Sequence, residues 1–230
     1  MQQLEHRLQV TKDGSHTIAI PELNITFHSH HGAIPESQHV FIQAGLHEAL
    51  ERFAAPLHIA ETGFGTGLNA LLTAMEARQT QTLIHFTTLE LYPLPQPITA
   101  QLNHGQLLGE DDLLQQLHAA PWNETVTVHP WFILNKQPCD IATFETSDTF
   151  HVVYFDAFAP EDQPELWTVD VFRQWFNLLK PGGMLVTYCS KSIIRKAMAE
   201  AGFTVTKIPG PWGKREMVRA FKPVEGPNDL

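Results

Sequence analysis

Residues 61–69 read Glu61-Thr62-Gly63-Phe64-Gly65-Thr66-Gly67-Leu68-Asn69, or ETGFGTGLN. A short apolar run, 57–61, precedes the glycines. A stretch with Leu68, Leu71, Leu72 and Met75 at helical spacing follows them, predicting a helix over 66–78. A glycine-rich turn between a strand and a helix lets a ligand approach the backbone closely. The spacing is G-x-G-x-G, not the dinucleotide pattern G-x-G-x-x-G. It also lacks the G-K-[ST] ending of a phosphate-cradling loop.

Outward from this loop the chain alternates between strand and helix patterns. Strands are predicted at 83–91, 151–156, 184–189, 203–208 and 216–222, with a β-rich run at 125–134. Helices are predicted at 37–53, 168–179 and 192–201, with one or two more in 95–119. Lys180-Pro181-Gly182-Gly183 is read as the stop of the second of these. The fold class is therefore α/β, a Rossmann-like doubly wound, mostly parallel sheet. Asp13-Gly14 and Pro21 punctuate a loosely alternating start, predicting a small N-terminal β extension. Residues 1–54 are assigned to that extension and its leading helix, and 55–230 to the ligand-binding domain.

Composition bounds the function. The 230 residues are 43% hydrophobic and 17% charged, enough apolar material for a folded core. Two cysteines in unrelated contexts give no disulfide framework and suit a reducing compartment. No apolar run reaches the ~20 residues of a membrane-spanning helix. The start, MQQLEHRLQV, lacks a signal-peptide pattern. A cytoplasmic setting is expected. The net charge of -10 argues at first sight against nucleic acid, yet its distribution is uneven. Residues 1–172 carry 5 basic and 21 acidic side chains, whereas 173–222 carry 10 basic and 2 acidic.

Glu61 decides what the glycine loop takes. A carboxylate at the strand end repels a pyrophosphate and suits a cation. S-adenosyl-L-methionine carries a sulfonium and an ammonium and no phosphate. Glu90, at the end of the next strand, lies where an acid hydrogen-bonds ribose hydroxyls. Asp140-Ile141 follows the third strand region and is placed to grip an adenine. This pattern resembles a class I S-adenosyl-L-methionine-dependent methyltransferase. Asp156 ends the run HVVYFD and would face the transferable methyl group; a carboxylate there can orient an amine and take its proton. Phe158 and Trp167 follow in a loop and are candidates to stack a base or shield a sulfonium.

Three segments together resemble a narrower family: ETGFGTGLN at 61–69, YFDAFAPEDQPELW at 154–167 and GKREM at 213–217. They look like the methyltransferase half of the bifunctional bacterial enzyme that completes 5-methylaminomethyl-2-thiouridine at the tRNA wobble position, and more closely like its stand-alone, MnmD-type members. HSHHGAIPESQHVFI at 28–42 and VTYCSKSIIRKAMAEAGF at 186–203 fit the same pattern. The resemblance covers 25–222 and implies a last strand running antiparallel. It implies N-methylation of the 5-aminomethyl group of a modified wobble uridine, with S-adenosyl-L-methionine as cofactor and tRNA as partner. It implies Asp156 as the catalytic acid. Cofactor contacts are then expected from Glu61, Gly63, Phe64, Gly65, Thr66, Gly67, Asn69, Glu90, Asp140 and Asp156. Substrate contacts are expected from Glu36, Phe158, Trp167, Lys191, Lys214 and Arg215. The chain is short for the flavin-dependent oxidase half, so no such domain is expected in it. A transferase of methyl or aminopropyl groups to a small amine, a nicotinamide-dependent oxidoreductase and a non-catalytic RNA-binding module stand as alternatives.

His28-Ser29-His30-His31 invites a zinc reading, but the cysteines lie far off in sequence and no metal is expected. Ser37 is read as the cap of the 37–53 helix.

Overall fold

The computed structural model describes residues 5–224. Residues 1–4, part of the start read for a signal peptide, and 225–230, which hold Glu225 and Asp229, lie outside the described residues. Eleven strands are present among the described residues. The expected N-terminal extension is a small antiparallel sheet of β1 (Arg7–Val10), β2 (His16–Ile20) and β3 (Ile25–Thr26).

The central sheet holds β4 (Leu57–Thr62), β5 (Ile84–Leu89), β6 (Thr125–His129), β7 (Phe132–Gln137), β8 (Phe150–Phe155), β9 (Leu179–Thr187), β10 (Thr204–Pro209) and β11 (Glu216–Phe221). Its order is β10-β11-β9-β8-β4-β5-β7-β6. The five inner strands β9, β8, β4, β5 and β7 are parallel. The last strand, β11, inserts antiparallel between β9 and β10. Strand order reverses between β4 and β8, so the crevice beyond their carboxyl ends is the natural ligand site. β8 reads FHVVYF and is buried throughout, as a central parallel strand covered on both faces must be.

Two helical layers cover the sheet. Leu68–Thr80, Asp111–Ala119 and a long helical run over 33–52 pack on one face. Val169–Leu178 and Ser192–Glu200 pack on the other. One apolar cluster extends from Ile18 and Val40 through Leu71 to Met217, and so crosses the boundary expected at residue 54.

The structure corrects several local readings. The first long helix begins at Ala33 rather than near Ser37, and Ser37 is buried inside it. Its opening amides are served from the turn between β1 and β2 instead: Ala33 N donates to Ser15 Oγ at 3.2 Å and Ile34 N to Asp13 Oδ2 at 3.3 Å. Pro35 fits in the first turn, where its missing N–H costs nothing. The middle of this helix, Gln38–His47, is wound in the wide π form. Gly45 lies there against Tyr154 and Val186, where a Cβ would sit 3.1 Å from both, so the helix rides tight on the sheet. Segment 95–119 holds three short helices, Gln96–Thr99, His104–Leu108 and Asp111–Ala119. The run 125–134 is two antiparallel strands. Lys180–Gly183 does follow the helix end at Leu178, but it belongs to β9 as an irregularity in the pairing with β8. Gly183 is needed there: an added Cβ would meet the Lys180 and His151 carbonyls at 2.8 and 3.0 Å.

Candidate functional site

The glycine loop sits at the carboxyl end of β4. Gly65 and Gly67 adopt φ of 49° and 71°, a region other residues rarely enter. A Cβ at Gly65 would also press on the Phe27 ring at 3.1 Å, and one at Gly67 on His118 at 3.1 Å. The loop is tied to the neighbouring strand: Gly63 N donates to Leu89 O at 2.8 Å and Gly65 N to Glu90 Oε2 at 3.1 Å. Phe64 and Thr66 are buried, and Phe64 packs edge-on against His118 and Trp122. Side chains and backbone bonds together hold the loop's shape: Phe64 N donates to Leu89 O at 3.2 Å, Phe64 O accepts from Gly67 N at 2.8 Å, and Thr66 O lies 3.0 Å from His118 Nε2.

Three acids stand at the ends of three adjacent strands. Glu61 is 1% exposed and its Oε2 accepts from Thr88 Oγ1 at 2.6 Å. Among the described residues it has no cationic partner. Burial pushes its pKa well above the usual carboxylate range; Thr88 and Asn69 oppose this, and the charges of Asp156 and Glu90 add to it. Glu90, just beyond β5, accepts from Gly65 N and, at 3.0 Å, from Tyr92 N; burial raises its pKa against those two bonds. Asp156, just beyond β8, accepts from Asn69 Nδ2 at 2.8 Å, and its own N–H donates to Thr62 Oγ1 at 2.9 Å. Burial lifts its carboxyl to about 7, with Asn69 and Lys214 holding it down and Glu36 pushing it up. Asn69 Oδ1 is buried with no hydrogen-bond partner.

This chemistry fits a cation. A buried carboxylate with no counter-charge, Glu61, two half-buried carboxyls beside it, an unpartnered buried carbonyl oxygen and a loop that admits close approach are together what a ligand with ammonium and sulfonium groups needs. Asp140 lies past β7 and caps the short turn Ile141–Thr143, its Oδ1 accepting from Ala142 N at 2.8 Å.

The opposite wall brings together residues that are far apart in sequence. Glu36 Oε2 accepts from Ser29 N at 3.0 Å, while its Oε1 holds Lys214 Nζ at 2.7 Å. That ammonium also lies 3.9 Å from the centre of the Tyr188 ring, and Tyr188 OH donates to Ala157 O at 2.9 Å. Lys214 therefore faces into the site. Lys191 pairs with Glu161, and Arg215 is exposed with no ion pair among the described residues. Phe158 packs edge-on against Phe27, with ring centres 5.1 Å apart. Trp167 is not available to stack a base. It is 4% exposed, packs against Phe155, and donates from Nε1 to Phe158 O at 2.8 Å, so it fixes the loop that carries Phe158. Thr62, Thr88 and Tyr188 also belong to the site, with no local sequence pattern that marks them. Register alone brings the two threonines here: Thr88 lies beside Glu61, and Thr62 beside Phe155. Among the described residues no group of three or more His, Cys, Asp or Glu could hold a metal ion. Among the described residues no helix is long and apolar enough to cross a membrane.

A doubly wound sheet with an antiparallel last strand, a G-x-G-x-G loop after β4 and acids at the carboxyl ends of β4 and β5 are the features of a class I methyltransferase fold. The family described as S-adenosyl-L-methionine-dependent methyltransferase matches residues 122–223. The chain is 32% identical to the tRNA 5-methylaminomethyl-2-thiouridine biosynthesis bifunctional protein MnmC of Cupriavidus metallidurans, over 89% of this chain and 32% of that protein. It is 31% identical to the same-named protein of Chromobacterium violaceum, over 92% of this chain and 34% of the relative. It thus spans about a third of the length of the curated relatives it matches. The crystal structure of MnmC2 from Aquifex aeolicus superposes with a TM-score of 0.73 at 25% identity, covering 98% of this chain and 72% of that one. Spermidine synthase from Thermotoga maritima reaches 0.61 at 14% identity, over 98% of this chain and 72% of that one, which shows a shared fold. The chain thus resembles MnmC-like S-adenosyl-L-methionine-dependent methyltransferases in both sequence and fold.

Proposed function

We propose that the protein methylates the 5-aminomethyl nitrogen of a tRNA wobble uridine, giving 5-methylaminomethyl-(2-thio)uridine, in the cytoplasm. The observation that carries this reading is Asp156, a half-buried carboxyl at the crevice, bonded to Asn69 and pushed up to about 7. The relatives' names, which concern the same nucleoside, support it.

S-adenosyl-L-methionine, when bound, supplies an electrophilic methyl group and a thioether leaving group. Glu61 and Asn69 would receive its cationic end, the backbone of 63–67 would line it, Glu90 would take the ribose hydroxyls, and Asp140-Ile141 would flank the adenine. The acceptor has its own requirement. A primary alkylamine is an ammonium at neutral pH and has no lone pair to give. Asp156 holds that group in line and accepts its proton, so that the neutral nitrogen can form the new N–C bond while the C–S pair leaves with sulfur. A carboxyl with a pKa near 7 can take the proton and release it again at neutral pH. Phe158 borders the same opening and would pack on the uracil ring.

The test is transfer of labelled methyl from S-adenosyl-L-methionine to tRNA bearing 5-aminomethyluridine, run beside putrescine. Label in tRNA alone supports the reading. Label in putrescine alone replaces it with a small-amine transferase. Thermal stabilisation by NADH and none by S-adenosyl-L-methionine would overturn both.

A further inference from the structure

Residues 210–215 form the tip of the hairpin between β10 and β11, on the side of the sheet where Asp156 lies. This tip is pinned at several points. Pro211 is buried, and its carbonyl accepts from Lys214 N at 2.9 Å. Gly213, at φ 86°, lies against His31 so closely that a Cβ would sit 2.7 Å from the ring. Lys214 is held by Glu36 and Tyr188, and His39 Nε2 lies 2.9 Å from the Pro209 carbonyl. Within this anchored turn the Trp212 indole packs on almost nothing. At 87% exposure it is the most exposed large apolar side chain among the described residues.

A rigid turn that holds a bare indole in solvent forgoes the burial such a side chain normally gains, which marks a contact surface. Its neighbour Arg215 is also exposed and forms no ion pair among the described residues. The surrounding span, 173–222, is the basic part of an otherwise acidic chain. An exposed indole and an exposed guanidinium three positions apart in one turn, at the rim of a site for a single nucleoside, match the chemistry of unpaired RNA. Every base offers a π-face to the ring, and the guanidinium meets the phosphate.

We propose that Trp212 is a stacking platform for an unpaired base next to the target uridine, with Arg215 on the adjoining phosphate. This rests on the reading of tRNA as substrate. A seventeen-nucleotide anticodon stem–loop with a fluorescent end label, titrated with the full chain at several salt concentrations, tests it. Trp212→Ala should weaken binding about five- to one-hundred-fold. It should leave the salt slope unchanged, while Trp212→Phe keeps most of the affinity. Arg215→Ala should flatten the slope by about one unit. Thermal stabilisation by S-adenosyl-L-methionine should be the same in all variants, which verifies that they fold. Wild-type binding with unchanged affinity in Trp212→Ala overturns the proposal alone. So does a Trp212→Ala variant that changes only from dimer to monomer, since the indole would then belong to a second copy. No binding by wild type removes the tRNA reading and the proposal with it.

Discussion

Asn69 donates to Asp156 Oδ2 at 2.8 Å while its own Oδ1 is buried without a partner. One side chain therefore links the glycine-loop helix to the acid just past β8 and keeps a buried, unused acceptor. Removing it strips a hydrogen bond from a charged group, worth about 1.5–3 kcal/mol. Asn69→Ala is expected to lower kcat/KM for methyl transfer at pH 7 by about ten- to one-hundred-fold. Steady-state kinetics check this, and an unchanged value would mean the bond does not serve the reaction.

Glu36 and Lys214 act on Asp156 with opposite signs. The carboxylate form must accept the proton, so the rate should rise as pH passes through about 7. Lys214→Met removes a stabilising cation and should move this limb to higher pH. Glu36→Gln removes a repelling anion and should move it lower. Lys214→Arg should restore it. A pH–rate profile with shifts in the same direction would point to a merely structural pair.

Glu61 is a buried carboxyl whose folded pKa is raised above its unfolded value. Its charged form is therefore a burden on the fold at high pH. The penalty is fully present above the folded pKa and vanishes below the unfolded value of about 4.5. Glu61→Gln should raise the Tm of the ligand-free protein progressively as pH increases. The same variant should lose the stabilisation that saturating S-adenosyl-L-methionine gives the wild type, about 2.7 kcal/mol at one hundred times Kd. Differential scanning calorimetry at pH 5 and pH 8 decides it. A destabilised Glu61→Gln at pH 8 would contradict the account.

Much of this site is legible in the order of residues. Three glycines and an acid between a strand and a helix define the loop, and Glu61, Glu90 and Asp156 stand at or just past the carboxyl ends of β4, β5 and β8 as their apolar runs suggest. What is not legible depends on pairing across distance. Glu36 and Lys214 lie 178 positions apart and meet only because β11 inserts beside β9 under the first long helix. The Trp167 indole has the same composition signal whether it stacks a base or fills the core, and only its packing on Phe155 decides. Ser37 looks like a helix cap because Asp13 and Ser15, which serve the amides, come from the distant turn between β1 and β2. Trp212, one residue before the GKREM segment, carries no local pattern that reports its exposure.

The central claim is most directly tested by nucleoside mass spectrometry. Transfer RNA carrying 5-aminomethyluridine at the wobble position is incubated with the protein and S-adenosyl-L-methionine, then digested. The account predicts conversion to the nucleoside with one added methyl, and its loss in Asp156→Ala while S-adenosyl-L-methionine still stabilises that variant. An unchanged wobble nucleoside with the wild-type protein, or full conversion by Asp156→Ala, would contradict it.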